Sequence, residues 1–306
     1  MNPSMSVIVP SLGRFERLRA CLSSIVAQDV PFAFEIIVAI DGADSSELSA
    51  RLGQEFAGLQ CLKFSTSIER RGSPRAKNDG AALAEGEILV FVDDDVVVSK
   101  RWLRLIHDSY SDSIVGVGGS EVKGHGPGFV RRAWFLINGN KTGRVTPGGQ
   151  VVSNFTSSKR DVEQVDCLAG ANMSFRKSTF DAIGGFDANY VGTSYREETD
   201  LCLRVGRHGR LIFRPDAVVE HNEDSRGGNS PSSKRDWNYW YHRNNTYFYM
   251  KNLSRGFAVQ DLRHLLVEVS LSFGRAVTQR SLAPISTMRR GMREGAAVLV
   301  QRKGIK

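Results

Sequence analysis

Residues 88–98 read Ile-Leu-Val-Phe-Val-Asp-Asp-Asp-Val-Val-Val, and this stretch limits the fold more than any other in the chain. Five consecutive apolar residues leave no polar alternation, so 88–92 predict a strand buried on both faces, as in a parallel sheet. Asp93, Asp94 and Asp95 then fall at the carboxyl end of that strand, which is where open α/β sheets bind ligands. Three carboxylates crowded into a dry site repel one another. A bound cation relieves that repulsion, and hard oxygen ligands suit Mg²⁺ or Mn²⁺. Taken alone, the cluster is explained as well by a polar turn or a helix cap.

The neighbouring segments favour a sheet. Residues 6–10 and 34–40 predict buried strands, and the spacing of Leu18, Leu22, Ile25 and Val26 predicts a helix over 15–27. Further helices are expected over 46–56, 73–84 and around Trp102, Leu105 and Ile106, with strands over 59–64 and 114–117. Strand and helix in alternation predict βαβ units: an α/β fold whose mostly parallel central sheet carries helices on both faces. Residues 120–160, rich in Gly, Lys, Arg and Ser, read as a long loop over the site. Order resumes over 165–177, followed by helices near 178–182 and 198–208, short strands at 211–215 and 217–221, and helix beyond.

Charge is unevenly placed. Of the net charge of +8, residues 255–306 carry +7, and the first 254 residues are close to neutral. A neutral body and a basic tail without interleaved aromatics argue against nucleic acid as a partner. No apolar run reaches 18 residues, the first residues lack a basic leader, and the four cysteines lack CxxC spacing. These features predict a cytoplasmic protein without a membrane span, zinc site or disulfide framework. In the tail, Leu262, Leu265, Leu266, Val269 and Phe273 recur at helical spacing, with Arg289, Arg290, Arg293, Arg302 and Lys303 beyond. Such a helix either lies peripherally on anionic lipid or packs against the body.

Several residues carry chemistry. Pro10 and Asp41 end the first two predicted strands and lie side by side if those strands pair in parallel. An aspartate there accepts a hydrogen bond from a nucleobase edge, although Asp before Gly also marks a turn. Arg75 and Lys77 fall near a predicted helix start, where cations and free amides suit a diphosphate and a solvated basic face is the alternative. Glu197, Glu198 and Asp200 occupy the first turn of a later helix. The helix dipole accounts for acids there, and it also keeps a carboxylate ionised, as a general base requires. His221 ends a predicted strand, either as a structural residue or as a neutral imidazole completing a metal site.

In order, Pro-Ser-Leu-Gly-Arg (10–14), Ile-Asp-Gly-Ala-Asp-Ser (40–45), the run 72–95, the run 168–187, Glu-Glu-Thr-Asp-Leu-Cys-Leu-Arg (197–204) and Val-Val-Glu-His-Asn (218–222) resemble the family 2 glycosyltransferases of GT-A fold. The resemblance covers about residues 5–225 and 241–253. It implies metal-dependent, inverting transfer from a nucleoside diphosphate sugar (UDP or dTDP) to a hydroxyl on a glycan or lipid-linked acceptor, in cell-surface polysaccharide or glycolipid synthesis. It implies that Asp93 meets the ribose or the metal, that Asp95 and His221 bind the metal, and that Asp94 supports them. Glu198 becomes the catalytic base with Glu197 in reserve, and Asn172, after Gly170-Ala171, reaches the donor sugar. The same resemblance divides the chain into a catalytic domain over 1–254 (donor half about 1–118, acceptor half about 119–254) and a basic helical extension over 255–306. Two alternatives are a nucleotidyltransferase, which would want a Gly-rich loop after the first strand, and a non-catalytic nucleotide-sugar-binding protein.

Overall fold

The computed structural model describes residues 4–42, 45–59, 61–123, 139, 141–156, 161–221, 234–254, 256 and 259–303. The chain opens with β1 (Met5–Ser11), α1 (Phe15–Val26), β2 (Phe34–Asp41), α2 (Ser45–Glu55), β3 (Leu62–Ser67), α3 (Ser73–Ala82) and β4 (Ile88–Val92). These four strands lie in the order β3-β2-β1-β4, all parallel. Their residues alternate between two cores. Val7, Val9, Ile36, Val38, Val90 and Val92 pack with α1 on one side. Ile8, Ile37, Leu89 and Phe91 face the other. An all-apolar strand sequence is what two-sided burial requires.

Helix α3 sits close to the sheet because it presents small residues. A Cβ on Gly80 would stand 2.7 Å from Ile8 Cγ2. Pro74, in the first turn, fixes φ where no amide partner is lost.

The second half contributes β5 (Val96–Val98), α4 (Trp102–His107), β6 (Ile114–Lys123), β7 (Thr142–Val145), β8 (Val151–Ser153), β9 (Glu163–Val165), β10 (Asn172–Arg176), α5 (Lys177–Ala182), α6 (Glu197–Val205) and β11 (Arg210–His221). Here the sheet becomes mixed. β10 runs antiparallel between β4 and β6, and β11 is parallel to β6 but antiparallel to β5 and β9. Parallel neighbours need a crossover, usually through a helix. β10, which follows the β7–β8 hairpin and β9, enters from the opposite end of the sheet.

Two local expectations change. Instead of two short strands, β11 is one strand whose register shifts between Arg214 and Val218. Pro215, lacking an N–H, interrupts the ladder there without ending it. Within the stretch expected to be a loop, β6 continues to Lys123, and β7 and β8 pair as a hairpin. Residues 124–138, 140 and 157–160 lie outside the described residues.

The helical C-terminal region expected from the sequence is present as α7 (Lys234–Asn252), α8 (Val259–Gln279) and α9 (Ala283–Lys303). α9 approaches α7 through Gly291 and Gly295, where a Cβ would meet Tyr239 O at 2.8 Å and Arg243 O at 2.3 Å.

The crossing of β6, β10 and β11 depends on an absent side chain. A Cβ on Gly119 would lie 1.8 Å from the Ala217 carbonyl oxygen and 2.5 Å from Asn172 Nδ2. Gly119→Ala is therefore expected to lower unfolding stability by about 3 kcal/mol or to abolish folding, because neighbouring backbone must move. Urea denaturation followed by circular dichroism checks this; an unchanged midpoint would contradict the packing.

Candidate active site

Parallel register sets the carboxyl ends of β1, β2 and β4 side by side, with Ser11 opposite Ile40 and Ile8 opposite Phe91. Pro10, half-buried, thus precedes the edge that also holds Asp41 and Asp93. The Ser11 hydroxyl donates to Asp94 Oδ2 at 2.5 Å. Arg14, just before α1, pairs with both Asp94 and Asp95, and its Nη1 is 3.0 Å from Asp95 Oδ2. Arg17, one turn on, lies 3.7 Å from the same oxygen. Burial raises the Asp94 carboxyl above its ordinary range, outweighing the opposite pull of Arg14 and Ser11. Asp93 differs from both neighbours: it is half-buried, and among the described residues no hydrogen bond reaches its carboxylate.

These acids suit a hard divalent cation in kind, since Asp93 and Asp95 offer carboxylate oxygens. Among the described residues no three His, Cys, Asp or Glu side chains converge as a metal-binding group. His221 pairs through its backbone with Val96, the residue after Asp95, while its side chain lies outside the described residues. Of the expected ligand set, the described residues thus include the Asp93 and Asp95 carboxylates, and Arg14 lies against Asp94 and Asp95.

Asp41 is 3% exposed, and its two oxygens accept the amides of Arg71 at 2.8 Å and Gly72 at 2.7 Å. Those bonds clamp the turn before α3, where Gly72 adopts φ 91°. Arg75 is exposed on the first turn of α3. Lys77, expected near the diphosphate, is 3% exposed, and its Nζ lies 2.9 Å from Glu197 Oε1, so its ammonium is a buried counter-ion to that glutamate. Burial alone would lower the Lys77 pKa, but the charges of Glu197 and Asp93 keep it above the usual lysine range.

Glu197 Oε1 also accepts from Ser73 Oγ at 3.0 Å, which ties the start of α6 to the start of α3. Glu197 Oε2 is buried without a hydrogen-bond partner among the described residues. Glu198, half-buried, faces Gly170, where a Cβ would come within 3.7 Å of Glu198 Cγ. Burial and then the Glu197 charge push the Glu198 carboxyl up to about 6, against its own amide, Lys77 and Arg196. Asp200 serves structure: fully buried, it is 2.9 Å from Arg204 Nε and 2.7 Å from Lys251 Nζ.

Asn172, expected beside the donor sugar, is fully buried with its side-chain amide spent on protein partners. Its Oδ1 accepts from Trp102 Nε1 at 2.9 Å, and its Nδ2 donates to Ser120 O at 3.1 Å and Ala217 O at 2.9 Å. It joins α4, β6 and β11 and has no donor left for a ligand.

Three arginines escaped the sequence reading. Arg14 and Arg17 stand one helical turn apart immediately after the first strand, a spacing that places both on one helix face. Arg196 precedes the glutamates in a left-handed conformation, φ 77°, that costs a non-glycine residue about 1–3 kcal/mol. It is held there by hydrogen bonds from Nε to Asn245 Oδ1 at 2.8 Å and from Nη2 to Gly149 O at 3.1 Å. Nothing local in the sequence signals that conformation.

Comparison with known proteins follows this geometry. The model of glycosyl transferase family 2 matches residues 6–184. Glucosyl-dolichyl phosphate glucuronosyltransferase of Haloferax volcanii is 24% identical over 237 residues, which cover 72% of this chain and 69% of that one. Among solved structures, the mannosyltransferase PcManGT from Pyrobaculum calidifontis in complex with GDP-Man and Mn²⁺ is similar over 100% of this chain and 81% of that one, with 19% identity and a TM-score of 0.58. Residues 1–349 of S. aureus TarS in complex with UDP-GlcNAc are similar over 94% of this chain and 79% of that one, with 18% identity and a TM-score of 0.63. At those identities the structural likeness establishes the fold.

The Lys77–Glu197 pair generates a stability test. Lys77→Met strands a buried carboxylate and is expected to cost about 3–5 kcal/mol. Adding Glu197→Met removes the stranded charge and should recover more than half of that loss. Chemical denaturation of the two variants measures the coupling, and equal stability of all three proteins would show that the pair is not electrostatically buried.

Proposed function

This chain belongs to glycosyl transferase family 2, and on that premise we propose inverting transfer of a sugar from a nucleoside diphosphate sugar to an acceptor hydroxyl. One observation supports the reading above the rest. The buried Lys77 ammonium lies 2.9 Å from Glu197 Oε1 and within electrostatic reach of Asp93 and Glu198, which supports a single site for acids about a hundred residues apart. An acidic strand end and a proton acceptor within one site are what leaving-group departure and hydroxyl attack each require.

In this reading Asp93 and Asp95, with His221, hold Mg²⁺ or Mn²⁺. When bound, that cation supplies positive charge to the leaving diphosphate. Arg75, exposed where α3 begins, meets the same oxygens. Asp94 stays with Ser11 and Arg14 and braces its neighbours. Glu198 takes the proton from the attacking hydroxyl. Glu197, anchored by Lys77 and Ser73, keeps the proton affinity of Glu198 high through its adjacent negative charge.

The donor is a UDP- or dTDP-sugar, and the acceptor is a glycan or a lipid-linked saccharide in cell-surface polysaccharide or glycolipid synthesis. The Haloferax volcanii relative, by name, acts on a glucosyl-dolichyl phosphate, which favours the lipid-linked case. No helix of the described residues is long and apolar enough to cross a membrane. We place the protein on the cytoplasmic side. The catalytic domain is taken as 1–254 and the extension as 255–306.

Glu198→Gln is expected to cut turnover about 10²–10⁴-fold while donor affinity, read by calorimetry, stays within about twofold. A base must be unprotonated, so wild-type kcat/KM should rise with pH through about 6, and the glutamine variant should lose that limb. A matching loss of donor affinity would assign Glu198 to structure instead. Separately, donor hydrolysis after EDTA treatment should fall at least about tenfold and return with Mn²⁺; activity unchanged by EDTA would remove the cation from the reading.

A further inference from the structure

Helix α8 is mounted the wrong way round for a soluble helix. His264, Glu268, Ser272 and Ala276 form its buried face. Glu268 accepts a hydrogen bond from Asn245 Nδ2 at 2.8 Å and pairs with His242, and Ser272 Oγ lies 3.1 Å from His242 Nε2. His264 stacks on Tyr249 at 3.9 Å between ring centroids. Against this polar anchor, Leu262, Leu265, Leu266, Val269, Phe273 and Val277 are 43–61% exposed. A helix that buries its polar side and shows its apolar side to water loses hydrophobic stabilisation unless something covers it.

The charges identify the cover. On α8, α9 and the link between them, the exposed charged side chains among the described residues are all arginine: Arg263, Arg280, Arg289, Arg290 and Arg293. The acids of the same helices turn inward. Glu268 is fully buried, Asp261 accepts from Tyr249 Oη, and Glu294 from Tyr239 Oη. A second copy docked through this extension, whose residues 255–306 carry +7, would set like charge against like charge. An anionic bilayer offers acyl chains to the stripe and headgroup charge to the arginines, the pattern of an interfacial helix. The stripe from Leu262 to Val277 runs about 22 Å at ~1.5 Å per residue, enough to lie along a surface and too short to span one.

We propose that the outer face of α8 docks on an anionic lipid surface, with the apolar stripe inserted at headgroup depth and the arginines beside it. The docking surface deepens the proposed function, since a lipid-linked acceptor is held in such a surface. Its evidence is independent of the catalytic reading.

Full-length protein is sedimented with vesicles of phosphatidylcholine alone or with 30 mol% phosphatidylglycerol (a chosen composition of about one-third anionic lipid). Binding to the anionic vesicles should exceed binding to the neutral ones at least about tenfold and fall with salt. The variant Leu266→Ser/Phe273→Ser, changed only at exposed positions, should keep its melting temperature and lose that binding about tenfold or more. Wild type left in the supernatant with anionic vesicles would overturn the proposal. So would a dimer by light scattering that the double variant converts to monomer, because the stripe would then be an interface between copies. Calorimetric titration with UDP-sugars separates the two readings: donor binding without vesicle binding sinks only the docking, and vesicle binding without donor binding sinks only the transferase assignment.

Discussion

Like charge at one sheet edge is the constraint to which the rest of the molecule answers. Parallel pairing of β1, β2 and β4 cannot avoid bringing their carboxyl ends together, and this chain places Asp41, Asp93, Asp94 and Asp95 at those ends. Each is dealt with separately. Asp41 is neutralised by two backbone amides, Asp94 and Asp95 by Arg14 and Arg17. Asp93 alone keeps its carboxylate without a hydrogen bond among the described residues. A cluster so arranged has Asp41, Asp94 and Asp95 held in place by the protein itself and Asp93 less restrained. The short turn between β1 and α1, which carries Arg14, belongs to the site as much as the aspartates do.

The same logic governs the start of α6. Two adjacent glutamates at a helix N-terminus repel, and the protein separates their roles by environment. Glu197 receives the buried ammonium of Lys77 and the hydroxyl of Ser73, and Glu198, with no such partner among the described residues, holds its proton up to about 6. The strained Arg196 backbone turns the pair into position. Its restraint comes from Asn245 on α7, whose amide also reaches Glu268 on α8. Hydrogen bonds therefore link Arg196, two residues before the candidate base, to the helix that carries the exposed apolar stripe.

The sheet was legible in the sequence because buried strands announce themselves by unbroken apolar runs, and β1, β2 and β4 fell where Ser6–Pro10, Phe34–Ile40 and Ile88–Val92 placed them. Register then made the convergence of Asp41 with Asp93 predictable. What could not be read was how polar groups are spent. Asn172 and Lys77 have the chemistry of ligands, and only three-dimensional packing shows Asn172 saturated by Trp102, Ser120 and Ala217 and Lys77 paired with Glu197. The antiparallel entry of β10 escaped for a related reason. Asn172–Arg176 pattern as a strand whichever way they run, and direction is set by the path of the chain before them.

The tail shows the limit of periodicity from the other side. The stripe on α8 has the spacing of a core-facing helix, and by pattern alone it should pack inward. It faces outward because the opposite face carries His264, Glu268 and Ser272, whose partners His242, Tyr249 and Gly148 already wait on the body. Burying Glu268 costs more in lost hydration than burying a leucine recovers, so that orientation persists only while every polar partner is met. Both Glu268 oxygens are met here, by His242 and Asn245, and the apolar side is left for water or for whatever excludes it. A helix fixed by its polar face keeps its orientation whether or not its apolar face is covered. This rigidity distinguishes a built docking surface from a core helix that has come loose.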